Sequence, residues 1–295
     1  MKRLALFLIG CMLTTTLHAG EPGVQQTIAY VKKLQTENGG FRAQQPKPGT
    51  PDIAPTLGAT SSAARALHYL GAEVPNKEAC AKFVESCYDP KLGGFRQTPN
   101  GKPDVFTTAV GLMAVVELKM PLDKFADGAS KYLTDNAKTF EEIRIAAAGF
   151  EAIKRKAPQG DEWTEHILRG RNKADGTYGQ GPGMVRDTAS MIVTLLRLGR
   201  TIEGGDRIVR VLKDGQRQNG GWGKADSEIA SDLETTYRVM RCIVMLKARP
   251  AHVEGVRSFV AKCRTEDGGY AVAPGQTSSV SGTYFASIIL HWLKQ

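Results

Sequence analysis

Two kinds of apolar pattern alternate along the chain. The first is amphipathic: in residues 253–263 the apolar side chains fall on one helical face, and they are Val253, Val256, Phe259 and Val260. The second is apolar on nearly every side, as in residues 188–198 and 282–293, which is typical of helices buried all round. The alternation predicts helix pairs with one solvent-facing and one internal member.

A Gly-Gly-aromatic triplet lies between the two helices of most pairs. The triplets begin at Gly39, Gly93, Gly220 and Gly268, with a weaker copy at residues 175–179 and a degenerate unit without a Gly-Gly pair at residues 143–153. The internal segments, which begin near Ser62, Thr108, Thr188, Thr236 and Thr283, recur at intervals of 46, 80, 48 and 47 residues, and the interval of 80 is about two short units. We expect the glycines to take positive φ as caps of the outer helices. The pattern predicts an all-α fold of about six helix hairpins, an α/α toroid or (α/α)6 barrel.

The first 19 residues have the pattern of a signal peptide. Lys2 and Arg3 precede an apolar run, and Ala19 ends a plausible cleavage site. This predicts export, to the periplasm or as a secreted protein, with residues 20–295 as one toroid domain. The segment before Cys11 also resembles a lipoprotein box, so lipidation at Cys11 is the alternative. The apolar run is too short to span a membrane, and we expect no transmembrane helix in the mature chain.

Charge and the reactive side chains narrow the function further. The formal net charge is +9, but the basic residues are scattered and lack an aromatic-basic platform, so we expect no nucleic-acid partner. The isolated histidines favour core or surface roles. The remaining cysteines are interpreted as buried small apolar residues without a disulfide framework, and they are Cys80, Cys87, Cys242 and Cys263.

The unit around α-helical residues 232–246 carries a resemblance. Its Gly220-Gly221-Trp222 triplet is followed by Asp232, then by Thr236-Tyr237 and an apolar helix. This order resembles the repeat of protein prenyltransferase β subunits, and the squalene–hopene and other terpene cyclases share a related repeat. The resemblance covers nearly the whole mature chain and implies the toroid fold.

The zinc site of the prenyltransferases is not matched. In that family an Asp, a Cys two residues on and a His in the next repeat hold the catalytic zinc. The matching positions here are Asp232, Glu234 and Gly282. We therefore expect no metal cofactor, with Asp232 and Glu234 as remote candidates for a hard cation and with helix capping as the simpler role of Asp232.

Two other family motifs are only partly present. Lys224 lies where the prenyltransferases place basic residues that bind diphosphate. The segment Asp187-Thr188-Ala189 resembles the end of the DxDD-Thr-Ala motif of cyclases that protonate their substrate. Arg186 stands at the position of the acid and cannot donate a proton near neutral pH, so the sequence predicts no cyclisation started in this way.

Two functions from different classes follow. The first is a non-catalytic toroid that binds an apolar, isoprenoid-like ligand in its bore or a protein partner at its rim. The second is an enzyme of prenyltransferase or terpenoid type with a modified site. Its catalytic candidates are Asp232, Glu234 and Asp187, and the ligand-binding candidates are Arg186, Lys224, Trp222, Tyr237 and Tyr284. The Pro-rich residues 44–60 form either a surface loop or a lid over the bore.

Overall fold

The computed structural model of the protein describes residues 22–46, 49–224 and 231–294. The expected signal peptide, residues 1–19 with Cys11, lies outside these ranges, as do residues 47 and 48 of the Pro-rich segment. Within the described ranges no helix is both long and apolar enough to span a membrane.

The described part of the chain forms twelve α-helices that alternate between two layers. The outer helices are α1 (Pro22–Lys33), α3 (Lys77–Ser86), α5 (Asp123–Asn136), α7 (Gly160–Leu168), α9 (Gly205–Asp214) and α11 (Val253–Lys262). The inner helices are α2 (Leu57–Tyr69), α4 (Val105–Glu117), α6 (Phe140–Ala152), α8 (Met184–Arg197), α10 (Leu233–Met245) and α12 (Val280–Trp292). A 3₁₀ turn, Gly181–Gly183, precedes α8, and two short antiparallel strands, β1 (Tyr88–Asp89) and β2 (Gly94–Phe95), flank one glycine turn.

The inner helices close into a ring. Each of them contacts its two inner neighbours, and α12 contacts α2 to complete the circle. Outer helices bridge adjacent inner ones, so that α1 touches both α12 and α2. The predicted α/α toroid of six helix hairpins is therefore confirmed.

Polar caps fix where the inner helices begin. Thr56, Asp104, Asp232 and Ser279 each accept a hydrogen bond from the backbone N–H three residues on, and Thr139 forms a capping box with Glu142. The helix starts predicted from the sequence were three to five residues too late, because each cap lies ahead of the apolar run from which the start was predicted.

A threonine one turn into the inner helix binds the loop aromatic of the same unit. In five units its hydroxyl accepts the backbone N–H of that aromatic at 2.9–3.1 Å, in the pairs Phe41–Thr60, Phe95–Thr108, Tyr178–Thr188, Trp222–Thr236 and Tyr270–Thr283. This bond satisfies a buried donor and holds the loop against its own helix.

The first glycine of each triplet links one unit to the next. Gly220 has φ +92° and lies against the backbone of Gly255 in α11, where a Cβ on Gly220 would overlap the Gly255 carbonyl oxygen. Gly268 approaches Gln26 of α1 in the same way, so the last unit is joined to the first. Positive φ was predicted correctly, but the capping role was wrong, because the glycines lie in turns several residues beyond the outer helices.

The cysteines behave as small core residues. Cys80, Cys87, Cys242 and Cys263 are free and buried, as the sequence predicted. Burial raises the pKa of the Cys80 and Cys263 thiols to about 12, so that neither forms a reactive thiolate near neutral pH.

The close approach at Gly220 gives a test of the fold. Gly220→Ala should lower the free energy of unfolding by at least about 3 kcal/mol, because it adds a backbone overlap to the strain of positive φ. Gly275 is the matched control: its φ is +80°, yet nothing lies within 4 Å of a Cβ placed there.

Gly275→Ala should therefore cost only the left-handed strain, about 1–2 kcal/mol. Urea unfolding of the two variants measures the difference. Equal losses would contradict a close contact between Gly220 and α11.

Candidate functional site

The inner ring encloses a cavity of about 580 Å³. One side of it, here called the apolar wall, is formed by α4 and α6. The residues of the apolar wall are Phe106, Val110, Met113, Val116, Ile145 and Ala148. The bore of the toroid is thus open enough to hold a small molecule, since ligand pockets commonly measure about 300–1,000 Å³.

Arginines line much of the rest of the cavity. They come from α2, α6, α8 and α10, and they are Arg65, Arg144, Arg197, Arg238 and Arg241. Glu117, Glu151 and Glu234 are the acidic residues of the lining. The sequence predicted an apolar ligand in the bore but not these arginines. Each inner helix has one face toward the outer layer and another toward the bore, and the arginines lie on the second face.

Ion pairs near the helix N-termini form what we call the mouth network: Glu141, Arg144, Arg186, Glu234 and Arg238. The two nitrogens of Arg238 bind Glu141 at 2.9 Å and Glu234 at 2.8 Å. Arg144 binds Glu141 at 2.8 Å, and Arg186 lies 3.4 Å from Glu234. In this network every arginine has a carboxylate partner.

The mouth network controls the ionisation of Glu141. Burial raises the pKa of this carboxyl, but Arg238 and Arg144 outweigh burial and lower it to about 2. At Glu234, too, burial raises the pKa of the carboxyl, but Arg238 and Arg186 outweigh burial, so that this pKa is lowered. Both carboxylates are therefore ionised near neutral pH.

A second group, the arginine–tyrosine cluster, consists of Arg65, Arg241, Tyr237 and Tyr284. Both arginines lie past the midpoint of their helices, away from the N-termini. The Arg65 guanidinium is 4.4 Å from the centre of the Tyr284 ring, and that of Arg241 is 5.2 Å from the Tyr237 ring. The two phenol oxygens are 3.4 Å apart. Among the described residues no carboxylate lies within ion-pair distance of either arginine.

The positive charge of the cluster affects its phenols differently. Burial raises the pKa of Tyr237, but the guanidinium groups of Arg241, Arg65 and Arg197 outweigh burial, so that this pKa lies below its usual range. Burial dominates at Tyr284 and raises its pKa. The position of the Tyr237 oxygen consequently favours a negative charge.

Asp232 caps α10, as the simpler interpretation predicted. Its Oδ1 accepts the Thr235 N–H at 2.7 Å, and its Oδ2 accepts the Thr235 hydroxyl at 2.8 Å. Asp104 makes the same two bonds to Thr107, at 2.7 and 2.6 Å. The Asp232 carboxylate thus has a local role that recurs in another unit.

The other polar candidates gather near the mouth. Glu234 lines the cavity, and Arg186 lies between Glu234 and Asp187, at 3.4 and 3.7 Å. Lys224 is exposed and contributes to the lowered pKa of Glu234. The structure thus brings Glu234, Arg186 and Asp187 together at one end of the bore.

Among the aromatic candidates, Tyr237 and Tyr284 line the cavity, and Trp222 does not. The Trp222 ring is buried, and its indole N–H donates to the Leu212 carbonyl of α9 at 2.8 Å. The expectation that Trp222 shapes the ligand pocket was therefore wrong, because this bond holds the ring between the two helical layers.

The position of the family's zinc-binding histidine is sterically closed. Gly282 is buried, and a Cβ on it would overlap the Tyr270 carbonyl oxygen and come within 2.9 Å of the Ala271 carbonyl carbon. At the cysteine position, Glu234 is bound to Arg238. The described residues hold no group of three or more His, Cys, Asp or Glu side chains that could bind a metal ion. The residues present do not fit the zinc site of the prenyltransferases.

Sequence reasoning missed Arg65 and Arg241. Both stand in apolar helical segments, where an isolated basic residue looks like part of a solvated face. The available signal was that each follows an aromatic or small residue of the bore face at helical spacing, as Arg241 follows Tyr237 by one turn. Which face meets the bore becomes clear only when the ring is closed.

The family comparison identifies one model. It is described as the prenyltransferase alpha-alpha toroid domain, and it matches residues 4–74, 63–143 and 144–295. A comparison with curated proteins finds no match.

Solved structures with the same fold include several kinds of enzyme. Protein geranylgeranyltransferase-I of Candida albicans, complexed with GGPP, has a TM-score of 0.71 at 12% identity, with 90% of each chain covered. A variant of the type II terpene cyclase MstE from Scytonema, in complex with geranylgeranyl dihydroxybenzoate, has a TM-score of 0.64 at 10% identity, covering 92% of this chain and 95% of that one. A structure titled as a wild-type glycosidase has a TM-score of 0.56 at 10% identity, covering 92% and 95%. At these identities the likeness shows the fold alone.

The mouth network predicts a pH dependence of stability. Because the pKa of Glu141 is lowered to about 2 in the folded protein and is about 4.3 in an unfolded chain, its ion pairs stabilise the fold fully above about pH 5. This contribution should disappear as the pH falls from about 4 to about 2.

Urea unfolding of the wild type and Glu141→Gln at several pH values measures this. The difference between their unfolding free energies should be constant from pH 7 to about 5 and should shrink at lower pH. A difference that does not change down to pH 2 would contradict the charged pairing of Glu141.

Proposed function

Since the chain belongs to the prenyltransferase alpha-alpha toroid family, we propose that it binds an apolar, isoprenoid-like ligand in its bore. The observation that supports this most directly is the apolar wall, which forms one side of a 580 Å³ cavity inside the inner ring. Burying an isoprenoid chain against these side chains removes apolar surface from water, which stabilises the complex by about 25 cal/mol per Å².

Two structures of the same fold support the proposed ligand class. The geranylgeranyltransferase is complexed with GGPP, and the terpene cyclase variant is in complex with geranylgeranyl dihydroxybenzoate. Both ligands combine an isoprenoid chain with a polar group, and the cavity here combines an apolar wall with arginines. A ligand in the bore accounts for this cavity, whereas a protein partner at the rim, the alternative, would leave it unused.

We further propose that binding does not involve zinc-dependent prenyl transfer. Glu234 replaces the cysteine ligand and is bound to Arg238. At Gly282 the backbone of residues 270 and 271 occupies the space that a histidine side chain would need. Restoring the zinc site would thus require changes to the backbone as well as to the side chains.

Export is part of the proposal. Its support is the pattern of residues 1–19, with Lys2 and Arg3 before an apolar run and Ala19 at a cleavage site. The intact mass of the protein recovered from a periplasmic fraction tests it: loss of the first 19 residues supports export with cleavage, and a lipidated Cys11 would replace it with membrane anchoring.

An enzyme with a modified site is the second candidate. It is favoured by the proximity of Glu234, Arg186 and Asp187 at the mouth of the cavity. If it holds, Asp232→Asn and Glu234→Gln should abolish turnover of a prenyl diphosphate, while folding survives. These variants separate a binding protein from a transferase.

If the ligand lies in the bore, a large side chain that fills the bore should weaken ligand binding. Ala148 is buried on the apolar wall, so Ala148→Phe should place a ring in the cavity and weaken the binding of radiolabelled farnesol at least about tenfold. The control is Ala261→Phe, the same change at an exposed position of the outer helix α11, which should bind farnesol like the wild type.

Equal binding by both variants would contradict a ligand in the bore. If the wild type binds no farnesol or any other isoprenoid alcohol, the apolar-ligand proposal fails as a whole. Circular dichroism confirms that each variant is folded before its affinity is compared.

The role of Asp232 gives a further prediction. If Asp232 acts only as a helix cap, Asp232→Ala and Asp104→Ala should each lower the free energy of unfolding by about 1 kcal/mol, and both variants should keep farnesol binding. Urea unfolding and the same binding assay measure this. Loss of binding in Asp232→Ala alone would show that Asp232 acts on the ligand and would favour the enzyme.

A further inference from the structure

Two arginines of the bore, Arg65 and Arg241, form no ion pair with any residue that the structure describes. From the arginine–tyrosine cluster we infer that the ligand of this protein is an anionic amphiphile whose oxyanion head group is bound by Arg65, Arg241 and the phenols of Tyr237 and Tyr284. The inference rests on the proposed function, because it specifies the ligand of the same cavity.

The distribution of charge in the bore supports this step. Arg144 and Arg238 share Glu141, and Arg197 binds Glu151 at 2.9 Å. Arg65 and Arg241 have no such partner among the described residues, and their aromatic contacts compensate only a small part of a buried charge. Two guanidinium groups in a cavity without a counterion are costly to maintain, and a bound anion removes that cost.

The N–H groups of Arg65 and Arg241 also lack strong acceptors among the described residues. The Nε of Arg241 is buried and has no hydrogen-bond partner within the described structure. The polar contact of Arg65 is to the sulfur of Met113, at 3.4 Å, and a thioether is a weak acceptor. Both guanidinium groups therefore have N–H donors to offer to an oxyanion.

Aromatic rings lie against both guanidinium groups. The guanidinium carbon of Arg65 lies over the Tyr284 ring, and that of Arg241 lies over the Tyr237 ring and over the Trp292 ring, the latter at 5.0 Å. These ring contacts are not hydrogen bonds to an oxyanion, so the N–H groups can still bind a carboxylate or phosphate through paired hydrogen bonds.

The two phenols complete the group of donors. Tyr237 and Tyr284 line the cavity, and the Tyr284 hydroxyl donates to the Tyr237 oxygen at 3.4 Å. The Tyr237 hydroxyl can in turn donate to an oxyanion. The guanidinium groups of Arg241, Arg65 and Arg197 also outweigh burial and lower the pKa of Tyr237, as expected where their positive charge favours a negative group.

The position of the arginine–tyrosine cluster beside the apolar wall sets the orientation of the ligand in the bore. Met113 belongs to the apolar wall and contacts Arg65, so the cluster adjoins the apolar wall directly. The arginines of the mouth network, in contrast, already hold Glu141 and Glu234. An amphiphile consequently places its head group deep in the bore and its chain along α4 and α6.

The test compares ligands with the same chain and different head groups. Farnesol, farnesoic acid and farnesyl phosphate are bound to the full protein at low salt. Because hydrogen bonds to a charged group are stronger than those between neutral groups, we expect at least one of the two anions to bind about tenfold to hundredfold more tightly than farnesol. The stronger of the two identifies the oxyanion as a carboxylate or a phosphate.

Two variants and a control locate the head group. Arg65→Met and Arg241→Met retain apolar volume and should each abolish most of the preference for the anion, while farnesol affinity, which also reports folding, stays within about twofold. The control replaces an ion pair outside the cavity, Arg155→Met with Asp127→Asn, and should keep the preference because the net charge is unchanged and neither residue lines the bore.

Several results would overturn the inference. If farnesol binds as tightly as both anions, the head-group site fails and the proposed function stands. If the anion preference survives in Arg65→Met and Arg241→Met but is lost in Arg186→Met, the anion lies at the mouth and the cluster is not its site. If none of the three ligands binds, it is the proposed function that fails.

Discussion

Close approach of backbone to backbone is the constraint on which the ring depends. Gly220 lies against Gly255 of the next outer helix, and Gly268 lies against Gln26 of the first. No side chain fits between these elements, and Gly39 and Gly93 make the same approach to Ala79 of α3 and Gly128 of α5. The turn of the preceding unit therefore sets the positions of α1, α3, α5 and α11. Because the last contact is of the same kind as the others, the units close into a ring and not into an open array.

The bore follows from this closure. Each inner helix carries an apolar face toward the outer layer, and the threonine contacts, such as Thr236 to Trp222, hold the loops at that side. The opposite face is free to carry polar residues, since it borders a cavity. Arg238 and Arg241 occupy this face one turn after Glu234 and Tyr237 on α10, which places a compensated and an uncompensated arginine in the same cavity.

Much of the fold was predictable from the sequence, because six similar units report the same structure repeatedly. Asp232 was recognised as a cap, and Tyr237 and Tyr284 were expected to face a ligand. The closed space around Gly282 was not predictable, since it depends on the backbone of residues 270 and 271. Nor were Arg65 and Arg241, because helical periodicity gives the angle between side chains but not which side of a closed ring they meet. The prediction that Trp222 contacts the ligand was wrong for a related reason, because its hydrogen-bond partner, the Leu212 carbonyl, lies in another helix.

The contact between the last unit and the first has a consequence for the order of the chain. Helix α1 packs against α12 as well as α2, and the Thr27 hydroxyl donates to the Gly268 carbonyl at 2.8 Å. The two ends of the domain are therefore neighbours in space, and the ring has no structurally distinct starting point. A short linker from α12 to α1, with new termini at the exposed Gly199, should yield a circular permutant with every helix in its present place.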